Sequence, residues 1–100
     1  MGPGVTIAPF AEIGNLVNIN RNSSIGHHTQ IGDFVNINPG VTVCGKIKIG
    51  NNVTIGAGST IIDNVEIGEN TIIGAGSLVA KPIPANVMAY GSPAKIIKEL

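Results

Sequence analysis

The sequence predicts an all-β fold, a parallel β-helix of hexapeptide repeats, and three observations support this prediction. Every sixth residue from Met1 to Val79 is aliphatic, although Ile, Val, Leu and Met make up only 31 of the 100 residues. The residue four places further on in each hexad is small or β-branched. The chain also has 14 glycines, 11 asparagines and 17 isoleucines, a composition that favours short strands joined by tight turns. A fixed six-residue period is typical of a parallel β-helix.

The period predicts the shape of each coil. The fifth residue of one hexad and the first of the next are two apart, so both point inward on a strand. The third position carries Pro, Asn, Asp, His and other turn residues, so the chain bends there. Three hexads then close a triangular coil of 18 residues, and 84 residues give about 4.7 coils, a prism about 22 Å tall. Glycines recur once per three hexads at Gly14, Gly32, Gly50 and Gly68. We expect this corner to need backbone angles that glycine tolerates.

The two ends of the predicted prism differ. After Val79 the hexads stop, and Pro82 and Pro84 are expected to end the coil. Ser92-Pro93 has the pattern of a helix start, so "AKIIKEL" is predicted to form a short C-terminal helix that covers the lower end. This divides the chain into a β-helix domain, residues 1–84, and a capping extension, residues 85–100. Met1 enters in register, which would leave a bare sheet edge, so we expect a preceding domain or a partner to cover the upper end.

Composition excludes several classes of function. The formal net charge is zero, the 12 charged residues are scattered and there are only three aromatic residues, so nucleic acid is not expected as a partner. No apolar run is long enough for a membrane span and no signal peptide opens the chain. The single cysteine, Cys44, cannot form an internal disulfide, which fits a cytoplasmic protein.

The two histidines of the chain, His27 and His28, are adjacent, which suggests an acid–base site, a metal site or two solvated turn residues. Histidine suits a general base because its charge ordinarily changes near neutral pH. Gly45 lies three hexads further on, and the two backbones should be about 5 Å apart in adjacent coils. The Gly45 N–H is then a candidate donor to a thioester carbonyl. A metal site is disfavoured, because zinc takes three or four protein ligands and only Cys44 joins the pair.

At this point the sequence resembles the left-handed β-helix acyltransferases, and within them the sialic acid O-acetyltransferase and UDP-amino-sugar N-acetyltransferase group. The motifs that carry the resemblance are "SSIGHH", "IGDFVNINPGVTVCG", "IGAGSTII", "IGAGSLVAKPIP" and "GSPAKII". It implies left-handed coils, a homotrimer, acetyl-CoA as co-substrate, His27 as general base and the Gly45 amide as the group that binds the acetyl carbonyl. His28 occupies the place where this group usually has Asp or Glu, so its part is either to orient His27 or none. The N-terminal sugar-binding domain of the group has no counterpart in these residues.

The resemblance also implies residues that bind the ligands. Small side chains would leave a groove for the pantetheine arm of coenzyme A, two lysines would approach its phosphates, and two asparagines match positions near the acceptor. These residues are Gly56, Ala57, Gly74 and Ala75 for the groove, Lys81 and Lys95 for the phosphates, and Asn20 and Asn36 for the acceptor.

Two functions follow as hypotheses. The first is an acetyl-CoA-dependent acetyltransferase that acts on an amino or hydroxyl group of a sugar or nucleotide-sugar and needs no metal. The second is a non-catalytic trimerisation module, inactive without a sugar-binding domain. The acceptor, and the choice between O- and N-acetylation, stay open at this stage.

Overall fold

The computed structural model describes residues 2–100, and Met1 lies outside the described residues. Thirteen strands of two residues are followed by two longer ones, and every two-residue strand falls at the sixth and first positions of successive hexads. The strands are β1 (Thr6–Ile7), β2 (Glu12–Ile13), β3 (Asn18–Ile19), β4 (Ser24–Ile25), β5 (Gln30–Ile31), β6 (Asn36–Ile37), β7 (Thr42–Val43), β8 (Lys48–Ile49), β9 (Thr54–Ile55), β10 (Thr60–Ile61), β11 (Glu66–Ile67), β12 (Ile72–Ile73), β13 (Leu78–Val79), β14 (Val87–Gly91) and β15 (Ala94–Glu99).

The strands stack into three sheets, which form the three faces of a triangular prism that measures 32 × 21 × 21 Å. Strands within a sheet are parallel, except β15. The first sheet has the order β1-β4-β7-β10-β13, the second β11-β8-β5-β2, and the third β15-β14-β12-β9-β6-β3. Paired strands lie three hexads apart in the sequence, as in Thr6 with Ser24 and Ile7 with Ile25. The predicted parallel β-helix, with three hexads in each coil, is confirmed.

Three corners join the sheets, and each is named here by its residues. The histidine corner follows the first sheet and comprises residues 8–10, 26–28, 44–46, 62–64 and 80–82. The asparagine corner follows the second sheet and comprises residues 14–16, 32–34, 50–52 and 68–70. The glycine corner follows the third sheet and comprises residues 2–4, 20–22, 38–40, 56–58 and 74–76.

All three corners turn in the same way. The fourth residue of every hexad from Gly4 to Gly76 has a positive φ, whichever side chain it carries. The glycines at the second position, such as Gly14 and Gly50, are not among the positive-φ residues, so the expectation that they supply special backbone angles was wrong. They permit close stacking instead, because a Cβ on Gly50 would lie 2.7 Å from the backbone nitrogen of Glu69 in the next coil.

The interior of the prism is a column of aliphatic side chains with hydroxyls interspersed. Ile37, Ile55 and Ile61 are fully buried. The hydroxyls at the fifth position bridge adjacent coils: Ser23 Oγ donates to Asn38 O at 2.9 Å and accepts from Val41 N at 3.1 Å. A buried hydroxyl costs stability unless it is hydrogen-bonded, and these bridges explain why Ser and Thr can replace Val inside the column.

The lower end differs from the prediction, because the coil continues past Pro84. Ile83 bridges to Ile67 in parallel, and β14 pairs with β12, with Ile72 opposite Met88. This pairing falls two positions short of the three-hexad register that all earlier strands keep. The segment with Pro82 and Pro84 therefore shortens the last coil by two positions instead of ending it.

The predicted C-terminal helix was wrong. "AKIIKEL" lies mostly in β15, which pairs antiparallel with β14 and extends the third sheet. Such a short helix is marginal in water, adjacent Ile96 and Ile97 favour a strand, and the open edge of β14 offers hydrogen-bond partners. Across residues 2–100, no helix is long and apolar enough to cross a membrane.

The upper end is less well covered than the rest of the column. Val5, Ile7, Ala11 and Val17 are only partly buried, and Ile13 is 36% exposed, whereas the inward side chains from Ile19 onward are buried. That a preceding domain or a partner covers this end stays a prediction.

Candidate active site

The histidine corner places His27 over Gly45, one coil below. Both residues are third in their hexads, so their backbones stack. A Cβ built on Gly45 would lie 2.8 Å from Nε2 of His27 and 3.0 Å from Cε1. The exposed imidazole thus occupies the space that any other residue at position 45 would fill. Glycine at position 45 leaves this space to the imidazole, which a larger residue would have to displace.

The backbone N–H of Gly45 is already engaged. It donates to Oδ1 of Asp63, one further coil down, at 2.7 Å. The role predicted for this amide, binding of an acetyl carbonyl, therefore requires Asp63 to release the N–H.

His28 contacts both His27 and the coil above. The Nδ1 atoms of His27 and His28 are 3.0 Å apart, and the two rings are perpendicular, with centroids 5.3 Å apart. On its other side, the His28 ring stacks on Phe10, with centroids 5.0 Å apart and an angle of 14° between planes. His28 is therefore not a freely solvated neighbour, although it is exposed.

A shallow depression opens beside this pair of rings, between the histidine corner and the second sheet. It has a volume of about 340 Å³ and is lined by Phe10, Ala11, Glu12, His28 and Gln30. Glu12 is the one charged residue among these lining side chains. An acceptor bound here would meet polar groups from Glu12 and Gln30 and an apolar ring from Phe10.

The predicted coenzyme groove lies along the glycine corner. Ala57 and Ala75 are exposed, and a Cβ on Gly58 or Gly76 would meet nothing within 4 Å, so this edge is smooth. Gly56 packs against the backbone of Ala75. Gly74 lies under the ring of Tyr90, which a side chain at position 74 would strike. The groove is thus open at the alanines and covered at Gly74.

The predicted site residues fall into two groups on the single chain. His27, His28, Gly45 and Lys81 lie on the histidine corner, whereas Gly56, Ala57, Gly74 and Ala75 lie on the glycine corner, across the first sheet. Lys95 belongs with the second group, because it pairs with Tyr90 in the β14–β15 hairpin. The two lysines are therefore not brought together within one chain.

The two candidate acceptor residues also lie away from His27. Asn20 opens a turn of the glycine corner, and its Nδ2 donates to Ile37 O at 2.8 Å, so its amide joins two coils. Asn36 lies on the outer face of the third sheet, and its buried Oδ1 has no hydrogen-bond partner among residues 2–100. This oxygen is closed to solvent, so the structure does not present it to a ligand.

Cys44 is half-buried beside Gly45, as expected for a residue that fills a corner. Its carbonyl oxygen accepts from Thr29 Oγ1 at 3.2 Å. Within the described residues, no three His, Cys, Asp or Glu side chains come together as metal ligands.

Three contacts were missed at the sequence level. Phe10 stands three hexads before His28, and Asp63 stands three hexads after Gly45, so the coil period alone could have paired them. Tyr90 falls two positions short of three hexads after Gly74, and only the shortened last coil reveals that contact.

Comparisons with known proteins agree with this architecture. Residues 46–81 match the model of the bacterial transferase hexapeptide family, six repeats. A galactoside acetyltransferase in complex with coenzyme A superposes with a TM-score of 0.94 at 36% identity, over 99% of this chain and 60% of that one. Residues 46–81 thus carry the repeats of the bacterial transferase hexapeptide family, and 99% of the chain is similar to this acetyltransferase. Its fold is the left-handed parallel β-helix of that family.

Other acetyltransferases are similar over 95% or more of the chain. A maltose O-acetyltransferase from Clostridium difficile 630 gives a TM-score of 0.88 at 28% identity, over 100% of this chain and 68% of that one. A serine acetyltransferase from Neisseria gonorrhoeae gives a TM-score of 0.87 at 34% identity, over 95% of this chain and 42% of that one. No curated protein sequence matches the chain. The chain spans 60% and 42% of the galactoside and serine acetyltransferases, so it corresponds to part of these enzymes. The narrower sialic acid and UDP-amino-sugar group stays a prediction.

Proposed function

We propose that this chain is an acetyl-CoA-dependent acetyltransferase, or the catalytic domain of one, that acetylates a hydroxyl or amino group of a sugar or nucleotide-sugar. His27 is the general base. The observation that carries the proposal is the position of His27, whose Nε2 faces the space above Gly45 while its Nδ1 is held by His28. The acetyltransferase names of the similar structures support the reaction class.

The proposed reaction needs one proton acceptor. Nε2 of His27 takes the proton from the acceptor O–H or N–H, whose oxygen or nitrogen forms a bond to the acetyl carbon. The C–S bond of the thioester breaks, and the thiolate sulfur takes the proton back from Nε2 and leaves as a thiol. A hydrogen-bond donor to the oxyanion that forms on the acetyl carbonyl lowers the barrier to this reaction. The Gly45 N–H is the proposed donor, once Asp63 has moved aside.

We propose that the site is completed by a neighbouring copy in a homotrimer. One chain separates its histidine corner from its glycine corner by the width of the first sheet. Three parallel prisms around one axis bring the histidine corner of each copy to the glycine corner of the next. The Ala57–Gly58 and Ala75–Gly76 edge of one copy then faces His27 of its neighbour, with Lys95 and Tyr90 at the lower end.

The same arrangement gives the remaining candidates their places in the proposal. Coenzyme A lies along the glycine corner, and Lys95 pairs with its phosphates. Lys81 serves the same ligand from the histidine corner of the neighbouring copy. Asn36 would contact the acceptor only after its buried Oδ1 has become exposed. We also propose a cytoplasmic location, since the one cysteine, Cys44, is a free thiol.

Replacing His27 tests the reaction. His27→Ala should lower turnover by about 10²- to 10⁴-fold, the usual loss for a general base, with coenzyme A affinity retained. Thiol release from acetyl-CoA is measured with galactoside, maltose, serine and a UDP-amino-sugar as acceptors, and affinity is measured by calorimetry. Asp33→Ala is the matched control, because Asp33 is the third residue of the next hexad along the chain. Equal turnover of His27→Ala and the parent would refute the assignment.

Mixing two inactive variants tests the shared site. His27→Ala leaves the glycine corner intact, and Ala75→Trp fills the proposed groove from an exposed position while sparing Tyr90. Each should be inactive alone, and trimers mixed by unfolding and refolding together should regain turnover, since some interfaces combine the two intact halves. Light scattering that finds a stable monomer at micromolar concentration would contradict the trimer.

The second candidate function is a non-catalytic β-helix module. Two observations favour it: Asp63 holds the Gly45 N–H, and Tyr90 covers Gly74. This module would trimerise yet bind no coenzyme A. Calorimetry on the parent protein separates the two candidates without any acceptor.

A further inference from the structure

We propose that Phe10 and His28 form a unit that positions the base, in which Phe10 fixes the plane of the His28 ring and His28 fixes the tautomer of His27. This inference rests on the proposed function for its catalytic consequence. Its structural part concerns three side chains of the chain itself and can be tested without a substrate.

The Nδ1 atoms decide which form of His27 is present. They lie 3.0 Å apart, a hydrogen-bond distance, so one of two neutral imidazoles donates and the other accepts. If His27 donates, its Nε2 carries a lone pair and can take a proton at Gly45. If His28 donates, Nε2 of His27 already carries hydrogen and cannot act as a base. The proposed chemistry therefore requires the His27 Nδ1–H form, with His28 as acceptor.

When His27 takes the substrate proton, its Nδ1–H becomes the donor of a charge-assisted bond to His28, which is stronger than a neutral one. A neutral imidazole can accept this bond at Nδ1 as a carboxylate would, although it brings no negative charge. His28 thus fixes the orientation of the His27 ring.

Phe10 explains how an exposed His28 keeps its orientation. Phe10 and His28 are the fourth residues of hexads one coil apart, with φ of 65° and 56°. The rings stack nearly parallel, whereas His27 is perpendicular to His28. A fixed His28 plane directs the Nδ1 lone pair, which lies in that plane, at His27. Phe10 itself is 76% exposed, so packing in the core does not explain why an aromatic residue stands at this position.

The test compares Phe10→Ala, Phe10→Tyr and Phe34→Ala in ¹⁵N-labelled protein. Phe34 is the matched control, since it is also the fourth residue of a hexad, with φ of 59° and 58% exposure, but lies on the asparagine corner. Long-range ¹H–¹⁵N spectra of the histidine rings report the tautomers. We expect the parent, Phe10→Tyr and Phe34→Ala to show His27 as the Nδ1–H form, and Phe10→Ala to show a mixture of both forms.

Kinetics gives a second readout. Phe10→Ala should lower kcat about three- to tenfold, the factor that an aromatic pair commonly contributes, with KM unchanged. Phe10→Tyr and Phe34→Ala should both keep kcat at the parent value. His28→Ala should cost more than Phe10→Ala, and His28→Asp should recover most of the loss.

Two results would overturn the inference: a parent spectrum in which Nε2 of His27 carries the proton, or a Phe10→Ala spectrum identical to that of the parent. Failure of the proposed function looks different. If no acceptor supports thiol release but the tautomer shifts only in Phe10→Ala, the ring unit stands and the acetyltransferase proposal falls.

Discussion

The histidine corner and the asparagine corner use the same turn for different purposes. In the asparagine corner, the third residues of two hexads accept a hydrogen bond from the N–H of the residue one coil above: Asn15 N donates to Asp33 Oδ1 and Asp33 N to Asn51 Oδ1, both at 2.8 Å. In the histidine corner, Gly45 has no side chain to offer His27, and the His27 ring fills the vacated space.

The difference shows what a functional corner gives up. The ladder resumes immediately below, where Gly45 N donates to Asp63 Oδ1. Within residues 2–100 the ladder is also absent from Asn51 to Glu69 and from Asp63 to Lys81, but only His27 has a glycine at the third position of the coil below. The level of His27 is thus marked by a glycine in the coil below, which leaves room for the imidazole in place of a side-chain hydrogen bond.

Restoring the missing rung should have the largest effect. In Gly45→Asn the new side chain would accept from His27 N and displace the exposed ring toward solvent. Turnover should fall by about 10²-fold or more, since the base is lost, while the free energy of unfolding stays the same or rises. Thiol-release kinetics and urea unfolding measure the two quantities.

The reverse change at the other corner is the matched control for Gly45→Asn. Asn51→Ala removes the acceptor of Asp33 N and should lower the free energy of unfolding by about 1 kcal/mol, with turnover retained. Turnover retained in Gly45→Asn would mean that the space above Gly45 is not used by the base.

A second comparison separates the side-chain ladder from backbone strain. Asn70 lies between Asn52 and Asn86, with hydrogen bonds of 2.9 and 3.0 Å, and has φ of 58°. Asn64 has φ of 62° on the histidine corner, with no such ladder partner among residues 2–100. Asn70→Ala should destabilise the protein by about 1 kcal/mol more than Asn64→Ala, because both lose a residue that tolerates positive φ and only one loses the ladder. Equal unfolding midpoints in urea would show that the ladder adds nothing.

A small effect on turnover is expected for Asp63→Ala. This change frees the Gly45 N–H for a carbonyl oxygen, so turnover should change by less than about threefold in either direction. The free energy of unfolding should fall by about 1 kcal/mol, as for the loss of one hydrogen bond. A turnover at least tenfold below the parent value would instead make the Asp63 carboxylate part of the active site.

Much of this fold follows from periodicity alone. The inward positions, the three-hexad register and the approach of His27 to Gly45 all come from a six-residue period that never slips before Val79. The hydrogen bond between Gly45 and Asp63 depends on side-chain rotamers, which the period does not specify. The period could have paired Phe10 with His28, which stand three hexads apart. The stacking of their rings depends on the orientation of the ring planes, which the period does not specify.

The prediction of a helix at the lower end was wrong for a different reason. Helix-start signals at Ser92-Pro93 are local, whereas "AKIIKEL" pairs with a strand whose edge is open only in the folded coil. Tertiary pairing overrode the local signal. Tyr90 was missed for a related reason, since the shortened last coil places it over Gly74 out of the expected register.

That shortened coil also bears on self-association. Coils of identical size present matching edges, so a stack of them is a template that a second copy can extend, and end-to-end addition of this kind produces fibres. Here the last coil closes short of three full hexads, and β15 runs antiparallel to the strands before it. An incoming first coil finds neither the matching perimeter nor the matching strand direction on the third face. This mismatch disfavours end-to-end addition of a second copy, and it arises from the segment with Pro82 and Pro84 and from the antiparallel strand β15.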